Sequence, residues 1–162
     1  MAFHTVLSAS IQGLHVEMVH VEADVSNGLP MFHMVGYLSA EVKEASERVR
    51  TAIRNAGIQI PARKVVVNLA PATVRKKGAS FDLPIALAVM AALGEIEGEE
   101  LERTLVIGEL GLDGRVQEVP GILPIVLEAR RAGCRACILP IRNAPEGALV
   151  EGIRILVVRH LK

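Results

Sequence analysis

The chain has 162 residues, 51% hydrophobic and 2% aromatic, with 18 Lys and Arg against 18 Asp and Glu; this suits one domain with a single large core and excludes a disordered chain. The longest apolar run, 83–93, closes at Gly94 and falls short of the roughly 18 residues that a membrane span needs. The neutral total is unevenly spread: from Lys43 to Lys77 nine basic residues meet two acids, Glu44 and Glu47, a surplus of +7 that the remainder balances, with five acids within 95–102. Such a chain can offer a basic face to a polyanion.

In chain order, 5–11 and 14–25 read as two strands joined at Gln12-Gly13, a link suited to a hairpin. The turn 26–30 leads to a short third strand, 31–35. Ser39 opens a helix in which Val42, Ala45, Val49, Ile53 and Ala56 recur at three- and four-residue steps, and Gly57 stops it. The β-branched run in 64–69, Val65-Val66-Val67, is expected to be buried on both sides. After a loop, 70–80, a helix begins with Asp82 as N-cap and Pro84 in its first turn; it is apolar nearly all round and should be central. Then 104–110 reads as a strand turning at Asp113-Gly114 into 115–119. A helix over 121–132 ends at Gly133, 136–139 is a strand, Asn143 caps a short helix, and 153–158 is the last strand. Alternating strands and helices predict an α/β domain with a mixed sheet.

Met1-Ala2-Phe3-His4 puts no basic segment ahead of an apolar one, so no secretory signal is read and the cytoplasm is the expected compartment. Two cysteines fit a reducing environment. Cys134 and Cys137 have CxxC spacing, yet no second ligand pair for zinc follows, and they sit past a helix C-terminus, whereas a redox thiolate uses an N-terminus. They are expected to be core residues. His20, Glu22 and Asp24 alternate on one strand face, as exposed polar positions do, and no metal site is assigned.

The loop Arg75-Lys76-Lys77-Gly78-Ala79-Ser80 combines charge, a glycine and a following helix, features that attract anions. It is not a Walker A element, whose lysine follows the glycine; here both lysines precede Gly78, and Asp82 would repel a phosphate. Contact with a nucleic-acid backbone asks only for charge and reach. Ser80 could act as a nucleophile only beside a desolvated base. The adjacent Lys76 and Lys77 are expected to be solvated and charged, which leaves Ser80 as a hydroxyl at a helix start.

Several blocks carry a resemblance. Ser26-Asn27-Gly28-Leu29-Pro30, Val35-Gly36, Val42-Lys43-Glu44, Arg48-Val49-Arg50, Val67-Asn68-Leu69-Ala70-Pro71-Ala72, Lys77-Gly78, Phe81-Asp82-Leu83-Pro84-Ile85-Ala86 and Gly108-Glu109-Leu110 closely resemble the N-terminal domain of the magnesium-chelatase-like AAA+ ATPases of the YifB/ComM family. The resemblance covers 1–162 as one domain. It implies a non-catalytic accessory domain of a motor that acts on DNA, a ComM-type helicase for branch migration in transformation and recombination. It further implies an ATPase module, with its ATP and magnesium, outside these residues; no cofactor or metal is expected within them. The implied partners are DNA, the module itself and further copies in a ring.

More distantly the chain is similar to the proteolytic domain of Lon and the C-terminal domain of RadA, which implies a mixed sheet with packed helices and a left-handed βαβ crossover. Ser80 stands at the position of Lon's catalytic serine, and Ile125 stands where the partner lysine belongs, so no catalytic residue is assigned. The residues expected to contact DNA phosphates are Arg48, Arg50, Arg54, Arg63, Lys64, Arg75, Lys76 and Lys77. With four aromatics, mostly in apolar runs, base stacking is not expected, and binding should be sequence-independent and salt-sensitive. Two other readings remain open: a degenerate serine hydrolase using Ser80, and a pure oligomerisation module.

Overall fold

The computed structural model describes residues 2–13 and 15–161. Leu14, the expected first residue of the second strand, lies outside them. β1 (Ala2–Gln12) and β2 (His15–Ser26) form the expected hairpin, paired from Ala2↔Val25 to Gln12↔His15. β3 (Met31–Val35) pairs in parallel with β4 (Lys64–Ala70), and β4 lies antiparallel to β2. Beyond them come β5 (Thr104–Val106), β8 (Ala136–Pro140) and β9 (Arg154–Val158), each parallel to its neighbour and β5 parallel to β1. Among the described residues the main sheet therefore has seven strands, in the order β3-β4-β2-β1-β5-β8-β9. Only β2 opposes the rest, so this is a mixed α/β sheet. β6 (Glu109–Leu110) and β7 (Val116–Gln117) make a separate ribbon.

Period-two alternation decides which side of the sheet is core. On β2, Val19, Val21, Ala23 and Val25 are buried, while His20 and Asp24 between them are exposed. α2 (Ala45–Asn55) buries Ala45, Val49, Ala52 and Ile53 on that side, and α3 (Asp82–Ala92), buried almost all round, packs across β1 and β2. On the opposite face α4 (Ile122–Arg131) presents Ile122, Ile125, Val126 and Ala129 to Ala9, Leu105, Cys137 and Leu139. A short α5 (Ala144–Gly147) packs against β8 and β9. No helix among the described residues is long and apolar enough to cross a membrane.

Several expectations need correction. The helix opened by Ser39 is two pieces: α1 (Ala40–Lys43), capped by Val42 N–H donating to Ser39 Oγ at 3.3 Å, then α2, separated at Glu44, whose ψ of −12° tightens the turn. Val65-Val66-Val67 is not buried on both sides. Val66 is half-buried, because α2 and α3 cover only the face of Val65 and Val67. The strand expected over 104–110 breaks at Gly108, which accepts from Leu83 N and donates to Ser80 O instead of continuing the ladder. A Cβ on Gly108 would come within 3.1 Å of Leu83. Asp82 is not an N-cap but the first residue of α3, with its side chain turned inward. Asn143 likewise spends its amide on both backbone groups of Val119, at 2.9 and 3.0 Å, rather than on capping α5.

Candidate functional site

Because every strand but β2 points one way, the sheet has a carboxyl edge, where α1, α3 and α4 begin, and an amino edge, where α2 and α3 end. β4 has seven residues, which puts about 20 Å between its start at Lys64 and the 71–80 loop at its end. The basic segment is thereby divided between two ends of the molecule and forms no single face.

At the amino edge the charge converges. Arg50 and Arg54 lie four residues apart on α2, hence on one face. With Arg63 from the connection into β4 they line a cavity of about 420 Å³ whose other walls include Phe32, Ile60, Pro61 and Val65. The Arg50 guanidinium carbon stands 5.7 Å from the centre of the Phe32 ring, within cation–π range. No acid lines this cavity, and among the described residues none of the three arginines makes an ion pair. On its other side Arg63 borders a cleft that also holds Glu95, where the acidic stretch starts. Lys64 is exposed at the start of β4.

At the carboxyl edge two of the expected contacts are spent inside the protein. Arg48 donates to both oxygens of Asp82, Nε at 2.8 Å and Nη2 at 3.0 Å, and also to Glu41 O at 2.8 Å. Asp82 is fully buried, and Leu110 N–H donates to it at 3.2 Å. Burial pushes the Asp82 carboxyl up, against the pull of the Arg48 and Leu110 hydrogen bonds; the bond to Asp82 holds Arg48 above its ordinary value. Lys76 is also fully buried, contrary to the expectation of a solvated side chain. Its segment is extended, with Lys76 N–H donating to Tyr37 O and Lys76 O accepting from Ser39 N, so alternate side chains point opposite ways. Arg75 and Lys77 face out, while Lys76 turns in and its Nζ donates to Pro71 O. Burial pushes the Lys76 ammonium down. Arg48 and Lys76 thus both direct their charged groups to partners within the protein.

The 71–80 loop does not suit a nucleotide triphosphate either, since its buried lysine is engaged with Pro71 and a buried carboxylate occupies the first turn of α3. Ser80 lines a cavity of about 220 Å³ together with Ser10, Lys77, Glu109 and Ile125. Ser80 and Ile125, the two positions expected to match the Lon dyad, share one pocket, and Lys77, the one amine in its lining, is exposed rather than desolvated. Cys134 and Cys137 are buried free thiols, Cys137 pushed up to about 12 chiefly by burial. Glu22 accepts from Asn68 Nδ2 at 2.7 Å, and among the described residues no group of three or more His, Cys, Asp or Glu could hold a metal ion.

Phe32, Ile60 and Pro61 are the site residues that the sequence reading missed. The four-residue step from Arg50 to Arg54 was visible, but nothing local ties Phe32 on β3 to that helix.

The family described as subunit ChlI of Mg-chelatase matches residues 21–143. The chain belongs to this Mg-chelatase-like family. An uncharacterized protein of Mycobacterium tuberculosis (strain H37Rv) is 44% identical over 161 residues, 99% of this chain and 32% of its own length. YifB of Escherichia coli K12 is 38% identical over the whole chain and 32% of its own length. The competence protein ComM of Haemophilus influenzae is 39% identical over 93% of the chain and 30% of its length. This Mg-chelatase-like chain thus spans about a third of the length of the curated relatives it matches. A weaker similarity, 28% over 145 residues, extends to the Lon protease of Mycolicibacterium smegmatis.

Proposed function

We propose that this chain is an accessory domain of a Mg-chelatase-like AAA+ ATPase and holds DNA by its phosphate backbone at the amino edge of the sheet. The observation that carries the reading is the convergence of Arg50, Arg54 and Arg63 on one cavity lined by no acid. Three guanidiniums around one cavity with no acid in its lining favour a polyanion there. Lys64 extends the contact along β4. The whole protein is then an ATP-dependent, ring-forming cytoplasmic motor whose ATP and magnesium belong to its ATPase module. A role in branch migration accords with the name of the Haemophilus relative, a competence protein. Arg75 and Lys77, at the other edge, are free for contact with that module or a neighbouring copy.

Fluorescence anisotropy with labelled DNA at low salt tests the reading. The wild-type chain should bind whatever the sequence, and Arg50→Gln, Arg54→Gln and Arg63→Gln together should remove most of the affinity. A wild-type chain that binds no DNA at low salt, or a triple variant that binds as well as wild type, sinks it.

A further inference from the structure

A phosphate contact uses the arginines of the amino-edge cavity and leaves the rest of it idle. Phe32, Ile60, Pro61 and Val65 give the cavity an apolar wall. A duplex offers phosphates and sugars while its base faces stay stacked on one another, so it would leave this wall wet. An acidic peptide would satisfy the guanidiniums and leave the same wall bare. The geometry points to one unpaired nucleotide as the occupant, its base against the Phe32 and Arg50 side of the cavity and its phosphates on Arg54 and Arg63. This rests on the phosphate-contact reading and adds that the site selects unpaired strand.

Size and chemistry both fit. About 420 Å³ lies within the roughly 300–1,000 Å³ of small-ligand clefts, the scale of one nucleotide rather than of a continuous groove. Unpaired bases stack on aromatic rings and on guanidinium planes alike. Here a guanidinium already stands over an aromatic ring, Arg50 above Phe32, so both kinds of stacking surface lie in one place. Arg54 follows one turn along the same helix face, within a phosphate's reach of a base held at Arg50. The expectation that aromatic residues take no part is revised for Phe32 alone, which is half-buried and lines the cavity instead of lying wholly within the core.

The 162-residue chain is titrated with labelled oligothymidylate and with a duplex of equal length. The single strand should bind about tenfold more tightly, the effect of one stacked base. Phe32→Leu keeps apolar volume but loses the ring, and should bring the two affinities together by weakening the single strand. Arg54→Gln with Arg63→Gln should weaken both forms. If circular dichroism shows Phe32→Leu unfolded, Arg50→Lys, which keeps the charge of an exposed side chain but loses the guanidinium plane, replaces it, with the same expectation. Equal wild-type affinities, or a single-strand preference that the folded variant leaves intact, overturn the nucleotide assignment while the phosphate-contact reading stands. Absence of binding to either form overturns both. Oligoglutamate that displaces the single strand at equal charge would hand the cavity to an acidic peptide and overturn the assignment too.

Discussion

Asp82 is wholly enclosed, and a buried carboxylate without a counter-charge is costly; Arg48 meets it with two hydrogen bonds and thereby ties α2 to the start of α3. Arg48→Met leaves that carboxylate unpaired and should cost about 3–5 kcal/mol, read from urea denaturation. Combining it with Asp82→Leu should recover much of the loss, because the charge to be compensated is gone; a double variant no more stable than the sum of the singles contradicts this. Lys76 obeys the opposite logic. Burial lowers its pKa below the ordinary 10.5, so between the lowered value and 10.5 the unfolded chain binds a proton that the folded chain does not. Stability should therefore rise with pH across that window and level off above 10.5. Lys76→Met should abolish this rise relative to wild type, as denaturation midpoints through the alkaline range will show.

At the scale of elements, two short devices position the β3-to-β4 crossover. Ser39 caps α1, and Ser39→Ala should lower stability by about 1 kcal/mol. Gly36, at φ 132°, lets the chain leave β3; a Cβ there would lie 2.9 Å from Leu69 O. Gly36→Ala should therefore cost more than the cap, about 1–3 kcal/mol, with thermal melting as the check for both. Most strands and helices were legible because their alternation is local: Val19, Val21, Ala23 and Val25 announce β2, and Val49, Ala52 and Ile53 announce α2. What was illegible depended on partners far along the chain. The break at Gly108 follows from hydrogen bonds to Ser80 and Leu83, and the inward turn of Asp82 from Arg48, 34 residues earlier. Lys76 is hidden because its segment bridges to Leu38, a pairing that no composition of 70–80 reveals.

At the scale of the whole molecule, charge counted along the sequence and charge placed in space are different quantities. The +7 segment runs from a helix through a strand to a loop, and the strand sets Arg63 and Lys64 at its start about 20 Å from the loop at its end. Of the eight basic residues expected to meet DNA, Arg48 is paired with Asp82 and Lys76 is buried, Arg75 and Lys77 lie at the carboxyl edge, and Arg50, Arg54 and Arg63 gather at one cavity with Lys64 at the start of the adjoining strand. The central claim is that this amino-edge cluster makes the phosphate contacts. Its most direct test is the slope of log affinity against log salt, which falls by about 0.7 per phosphate contact on single strands. Arg54→Gln with Arg63→Gln should reduce that slope by about 1.4, whereas Arg75→Gln with Lys77→Gln should leave it unchanged. A slope that collapses in the carboxyl-edge variant and survives in the amino-edge one would contradict the claim.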